Sequence, residues 1–207
     1  MTGLRDRQKA DRERRILDAA VRMFRARGYR AVRLDELADR ADVSVGTVYN
    51  YYQTKGDILI ATVALEVEEV IGIGSAIVAD PPRGVETALL ALIFEYYDHS
   101  LNYLSKEMWR TAMALSIEAP DTRNGQHYSA LDRKLCGQVI ELVARLKERG
   151  EVRDDIDPEP FGELIFNNLN MMFIEFVKDD SMTLEALRCA VAAQMRPLAA
   201  MIATEDA

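Results

Sequence analysis

Between Val43 and Leu59 the chain reads Val43-Ser44-Val45-Gly46-Thr47-Val48-Tyr49-Asn50-Tyr51-Tyr52-Gln53-Thr54-Lys55-Gly56-Asp57-Ile58-Leu59. Hydroxyls, a carboxamide and a cation here sit among small residues. That mixture suits close approach to base edges and phosphate oxygens rather than bond-breaking chemistry. At helical spacing Val48 and Tyr52 fall one turn apart and point inward, leaving Ser44, Val45, Gly46, Thr47, Tyr49 and Asn50 outward. Gly46 permits near contact of backbone with a duplex, and Tyr49 offers a flat ring and a hydroxyl. Lys55 opens the following helix, where its charge and the free N–H groups of a helix start could both meet a phosphate.

The residues that could carry catalysis do not assemble into a pattern. His99 and His127 are the two histidines of the chain. Glu95 and His99 stand at i, i+4, but no second histidine or cysteine cluster completes a metal shell. Ser100, Ser105 and Ser116 lie in no nucleophile-elbow motif. Cys136 and Cys189, the only cysteines, do not form a disulfide framework. No catalytic residue, metal or cofactor is expected, and the reading is not an enzyme.

The elements that would position the Val43–Leu59 run are helices. Ile16, Leu17, Ala20, Val21 and Phe24 form one apolar stripe, and Gly28 is a C-terminal stop. A short helix from about 34 to 40 places Leu34, Leu37 and Ala38 inward. Ala41-Asp42-Val43 breaks it, and Ser44 caps another short helix reaching about Tyr52. Thr54 and Asp57 fit a capping box that opens a long helix towards Asp80. Further helices are expected at about 83–98, 101–118, 125–149, 158–178 and 182–203, with Asp80-Pro81-Pro82, Gly150 and Pro158 as punctuation. No alternating strand pattern or internal repeat is present. The expected architecture is all-α with about nine helices: a three-helix helix–turn–helix DNA-binding domain at 1–56, then a helical domain at 57–207.

Charge divides the same way. The chain of 207 residues has 26 Lys/Arg, 34 Asp/Glu and a net charge of −8, which taken whole argues against nucleic acid. Residues 1–56 hold 13 basic and 8 acidic residues, a net of +5, whereas the remainder holds 13 and 26, a net of −13. A basic head on an acidic body suggests an acidic partner for the head alone. Ala88–Phe94, the longest strictly apolar run, is far short of a membrane span, and no signal peptide opens the chain, so a cytoplasmic protein with no membrane partner is expected.

The run from Val43 to Leu59 resembles the signature of the TetR/AcrR family of one-component transcriptional regulators. In that pattern a hydrophobic residue, Ser, any residue, Gly-Thr, an aliphatic, Tyr and an aromatic pair precede a Lys. Phe24, Gly28, Tyr29, Leu37, Ala38 and Val43 fall where the family has the core of its first two helices. The resemblance implies that Thr47, Tyr49, Tyr51 and Lys55 contact the DNA backbone or groove, with Val45, Gly46 and Asn50 closest to bases. Two positions depart from the pattern. Arg33 stands where a Ser or Thr commonly caps the second helix, losing that cap and offering a phosphate contact in its place. Asp42 replaces a frequent Gly, and Asp tolerates the left-handed conformation that such a turn uses.

The same resemblance implies a double-stranded DNA operator, a small-molecule effector and release from DNA on effector binding, most simply as a repressor. It also implies a homodimer built through the last two helices. The residues independently show a penultimate helix too apolar around its circumference for one neighbour, from Leu164 to Phe176. The last helix mixes Ala186, Ala190, Ala193, Pro197, Ala199 and Ala200 with larger side chains. For the effector, Tyr97, Trp109, Met113, Phe166, Asn167 and Asn170 are the expected pocket residues, an apolar set with a few polar groups. The alternative reading is a helical ligand- or partner-binding protein whose N-terminal platform does not read DNA.

Overall fold

The computed structural model describes residues 3–204, so the outermost residues of both expected domains, 1–2 and 205–207, lie outside the described residues. Nine α-helices account for the regular structure of the described residues: α1 (Leu4–Arg27), α2 (Leu34–Arg40), α3 (Val45–Tyr51), α4 (Lys55–Ala79), α5 (Val85–His99), α6 (Lys106–Glu118), α7 (Arg123–Glu148), α8 (Pro158–Lys178) and α9 (Leu184–Ile202). An isolated antiparallel bridge between Val152 and Ala203 is the one strand-like contact described. None of the described helices is long and apolar enough to cross a membrane.

Side-chain caps set several boundaries. Ser44 accepts from Thr47 N, Ser105 from Met108 N, Asp157 from Glu159 N and Thr183 from Ala186 N, each satisfying an otherwise orphaned helix-start donor. Thr54 and Asp57 exchange reciprocal bonds at 2.9 and 3.1 Å, the capping box expected at the start of α4. Several boundaries differ from the sequence reading by two residues or more. The helix expected from 101 begins at Lys106, because Ser105 caps there while Asn102 N closes a turn onto His99 O. The one expected from 83 begins at Val85, after Gly84 at φ 88°.

The chain forms two compact units that do not follow the expected 1–56 and 57–207 division. Unit 1 runs up to Leu65 and includes Tyr103–Tyr128; unit 2 comprises Glu66–Asn102 and the chain from Ser129 onward. Helices α4 and α7 therefore each contribute residues to both, and α6 belongs with the N-terminal helices. The core of unit 1 gathers Ile16, Ala20, Phe24, Leu37, Ala38, Val48, Ile58 and Leu59, all essentially inaccessible. These are the inward positions of the amphipathic stripes, so the two short helices α2 and α3 are held by burial rather than by intrinsic helix stability.

Unit 2 packs α5, α8 and α9 with the Glu66–Ala79 part of α4 and the Ser129–Glu148 part of α7. Gly162 of α8 lies directly against Ile140 of α7. A Cβ built there would lie 2.6 Å from Ile140 Cγ1 and 2.7 Å from Ile140 Cα. Backbone cannot yield as a side-chain tip can, so Gly162→Ala is expected to cost about 1–3 kcal/mol as overpacking. At about 2–4 °C per kcal/mol, calorimetry would register a fall of several degrees, and an unchanged melting temperature would contradict the packing.

Candidate nucleic-acid interface

The turn between α2 and α3 sets the angle of α3. Asp42 is the one described non-glycine residue in the left-handed region, at φ 53°. Asparagine and aspartate pay less for this conformation than other L-residues. Arg15 locks the turn from α1: its guanidinium donates to both Asp42 O and Asp42 Oδ2 at 3.2 Å. The departure from glycine is accommodated as the sequence suggested, with an added clamp that the sequence did not reveal.

On α3 the inward and outward faces separate as expected. Val48 and Tyr52 are buried, whereas Ser44, Val45, Gly46, Tyr49 and Asn50 are exposed. Tyr49, at 52% exposure, and Val45, at 37%, are large apolar groups that the monomer leaves uncovered. Thr47 is half-buried, its hydroxyl 2.8 Å from Ser44 Oγ. The exposed face therefore presents a ring, a carboxamide, two hydroxyls and an uncrowded glycine backbone, with an added Cβ at Gly46 meeting only Ser44 Oγ at 3.9 Å.

Three of the expected contact residues are engaged within unit 1 in this structure. Lys55 donates all three ammonium hydrogens to backbone carbonyls, at 2.8 Å to Tyr29, 3.1 Å to Arg30 and 3.0 Å to Val32. Its Nζ also lies 4.5 Å from the Tyr29 ring centroid, and partial burial lowers its pKa. Lys55 thus bolts the loop between α1 and α2 to the start of α4; its donors do not reach outward for a phosphate. Tyr51 is half-buried and gives its hydroxyl to Lys9 O at 3.0 Å. Arg33 forms a fork with Asp35, at 3.0 and 2.9 Å, so its charge is already paired. It leaves α2 without a side-chain cap, as its identity suggested.

Two further contacts escaped the sequence reading. Tyr52 Oη donates to Glu13 Oε1 at 3.3 Å, linking α3 to α1. Asn124 donates to Asp57 Oδ1 at 2.7 Å, tying α7 to the start of α4 inside unit 1. Burial opposes the charge of Asp57, but bonds from Thr54 and Asn124 outweigh it and hold the carboxyl below its ordinary pKa. Neither partner shares a periodic pattern with its mate, so no spacing rule finds them.

Residues 16–62 match the family model described as bacterial regulatory proteins, tetR family. Over this segment the chain is similar to the TetR family. Among curated relatives, the HTH-type transcriptional repressor KstR of Rhodococcus jostii is 42% identical over 60 residues, covering 29% of this chain and 28% of the relative. The match thus spans little more than a quarter of that protein's length. The fatty acid metabolism regulator protein of Bacillus subtilis aligns more broadly, at 23% identity over 84% of this chain and 88% of its own. Two solved structures share the TetR-family fold. The fatty acid degradation regulator FadR from Bacillus halodurans has a TM-score of 0.63 at 22% identity, covering 86% of this chain and 95% of the other. A TetR/AcrR-family regulator from Thermobifida fusca has 0.65 at 22%, covering 88% and 95%.

The expected effector residues fall in both compact units. Trp109 and Met113 belong to unit 1, Tyr97, Phe166, Asn167 and Asn170 to unit 2. Tyr97 is 2% exposed, donates its hydroxyl to Leu169 O at 2.8 Å and stacks on Phe173, as a core residue does. Asn167 is exposed on α8, one helical turn from the exposed Leu164 and Met171, so it faces outward with them. Phe166 and Trp109 are buried; Met113 and Asn170 are partly so.

His99 does not serve with Glu95. Its Nδ1 lies 2.5 Å from Glu66 Oε1 and its Nε2 3.5 Å from Glu69 Oε2. The two ring nitrogens face different carboxylates, a hydrogen-bonded arrangement rather than convergence on one metal. A second polar cluster is satisfied by shape: Gln138 accepts from Tyr96 Oη at 2.8 Å and donates to Ile71 O and Ser75 Oγ at 2.9 and 3.2 Å. Asp132 is different. Burial raises its carboxyl to about 6, with Arg133 only partly offsetting. A carboxyl raised from its unfolded value near 3.8 binds more protons when folded, so stability falls as pH rises from about 4 to about 6. Asp132→Asn is expected to raise the melting temperature at pH 7 and to flatten that decline. An equal or lower melting temperature at pH 7 would show that the charged carboxylate is not disfavoured there.

Proposed function

We propose that the protein is a homodimeric, effector-responsive transcriptional regulator that reads double-stranded DNA through α3, acting as a repressor that a small molecule releases. The observation that carries this reading is the exposed face of Val45, Gly46, Tyr49 and Asn50 on a short helix whose opposite side is fully buried. A helix so mounted can enter a major groove, and a two-fold dimer places two of them on half-sites about one helical turn or a multiple apart. Similarity to the repressor KstR over the DNA-reading segment supports repression. The transcriptional activator FasR of Mycolicibacterium smegmatis is 30% identical over 43% of this chain.

For the effector, the relative that aligns over most of the chain regulates fatty acid metabolism, which supports a fatty acyl compound. Because α4 contributes to both units, an effector that prefers one placement of its distal end shifts the population of DNA-competent protein. The test is a gel shift on the DNA upstream of the protein's own gene, repeated with fatty acids and their thioesters. Specific retardation that one acyl compound reverses is the expected result. A folded dimer that retards no duplex preferentially would remove the DNA-reading function; specific retardation that no acyl compound reverses would remove the effector class alone.

A further inference from the structure

Helix α1 begins at Leu4, whereas the family match begins at residue 16, so about three turns of helix precede the matched domain. Lys9, Arg12, Glu13 and Ile16 stand at i, i+3, i+4 and i+7 and share one stripe of that helix. Ile16 is fully buried, and Glu13 receives the Tyr52 hydroxyl. The stripe therefore faces the body of unit 1 on the side of α3. One turn further out, Tyr51 bonds Lys9 O. Two successive residues at the end of α3 thus grip the extension at Lys9 and Glu13 and hold it against the reading helix.

If this stripe served packing alone, positions 9 and 12 would be apolar. They are Lys and Arg, both exposed. Two neighbouring cations are already paired: Arg14 with Asp11 at 2.9 Å, and Arg15 with Asp11 and Asp42 at 3.4 and 3.2 Å. Among the described residues, Lys9 and Arg12 form no ion pair. Two uncompensated cations, fixed in place beside α3, complement a polyanion that α3 enters. We propose that Lys9 and Arg12 are a second DNA contact, gripping backbone phosphates that flank the bases read by α3. The inference rests on the proposed DNA-reading function but extends the interface to residues outside the matched family domain. Long cations without a fixed fork partner deliver charge rather than sequence readout, so the contact strengthens binding to every duplex alike.

The full-length protein carrying Lys9→Gln and Arg12→Gln would be titrated with its own upstream duplex and with a scrambled duplex, from about 50 to about 300 mM salt. Each lost phosphate contact lowers the slope of log affinity against log salt by about 0.9, so the double variant is expected to lose about 1.8 per protomer. Affinity for both duplexes falls by a similar factor, Lys9→Arg retains the wild-type slope, and the thermal melt is unchanged because both side chains are exposed. Should the double variant fold poorly, Arg12→Gln alone is expected to show half the slope change. Wild-type slope and affinity in the variant, with Tyr49→Ala defective in the same assay, would overturn the second contact and leave α3 as reader. A wild-type protein that prefers no duplex would overturn the DNA-reading function instead. The slope on scrambled DNA would then still decide whether Lys9 and Arg12 touch phosphate.

Discussion

Tyr49→Ala is expected to abolish discrimination between operator and random DNA while leaving the fold and the dimer intact. The ring is 52% exposed and projects from the face of α3 opposite Val48. Removing a side chain so placed should change stability by no more than about 0.5 kcal/mol. In the proposed complex the same ring would cover base or sugar surface, with its hydroxyl at a phosphate or base edge. Loss of one such contact costs about 1–3 kcal/mol, and a symmetric dimer loses it twice. The product is a fall of roughly 30-fold to 10⁴-fold in specific affinity, with non-specific affinity reduced far less. Fluorescence anisotropy against matched and scrambled duplexes would measure both. Specific affinity within twofold of wild type would place Tyr49 off the DNA and move the reading face elsewhere on unit 1.

The contrast between Tyr49 and Lys55 shows where sequence reasoning stops. Both were expected at the DNA on residue type and position, yet Tyr49 is exposed whereas Lys55 spends its donors on Tyr29, Arg30 and Val32. Helical period tells which way a Cβ points, and so it separated Val48 and Tyr52 from Val45 and Tyr49. It does not tell where the tip of a long side chain ends, because that depends on carbonyls more than 20 residues away. Caps were legible where their partners lie within three residues: Ser44 and the Thr54–Asp57 pair behave as their types suggest. The Asp42 turn was legible for the same local reason. The effector residues were chosen by type alone, and type does not say which compact unit a helix joins. Tyr97, for one, proves to be a core hydroxyl bonded to Leu169 O.

Leu164→Glu combined with Met171→Glu is expected to convert the dimer to a folded monomer and to reduce operator affinity by about 10²–10⁴-fold. On α8, Leu164 is 50% and Met171 56% exposed; on α9, Met201 is 62% exposed. Ala186, Ala193, Pro197 and Ala200 are exposed on α9 as well, small residues that let another helix come close. The opposite sides of both helices carry Phe166, Phe173, Leu187 and Val191 into the core of unit 2. An uncovered apolar face of this kind costs solubility unless a partner covers it, and a two-fold axis lets the same face serve both chains. Completing the burial of four half-exposed Leu and Met side chains per dimer is worth about 1 kcal/mol each, or about 10³-fold in the dimer dissociation constant. Carboxylates at those positions add repulsion across the axis to that loss. DNA binding suffers through linkage, because a dimer captures its second half-site at high effective concentration and a monomer cannot. Sedimentation velocity would read the assembly and a thermal melt the fold. A variant that still sediments as a dimer would place the interface away from α8, and a monomeric variant with wild-type operator affinity would show that half-sites are bound independently.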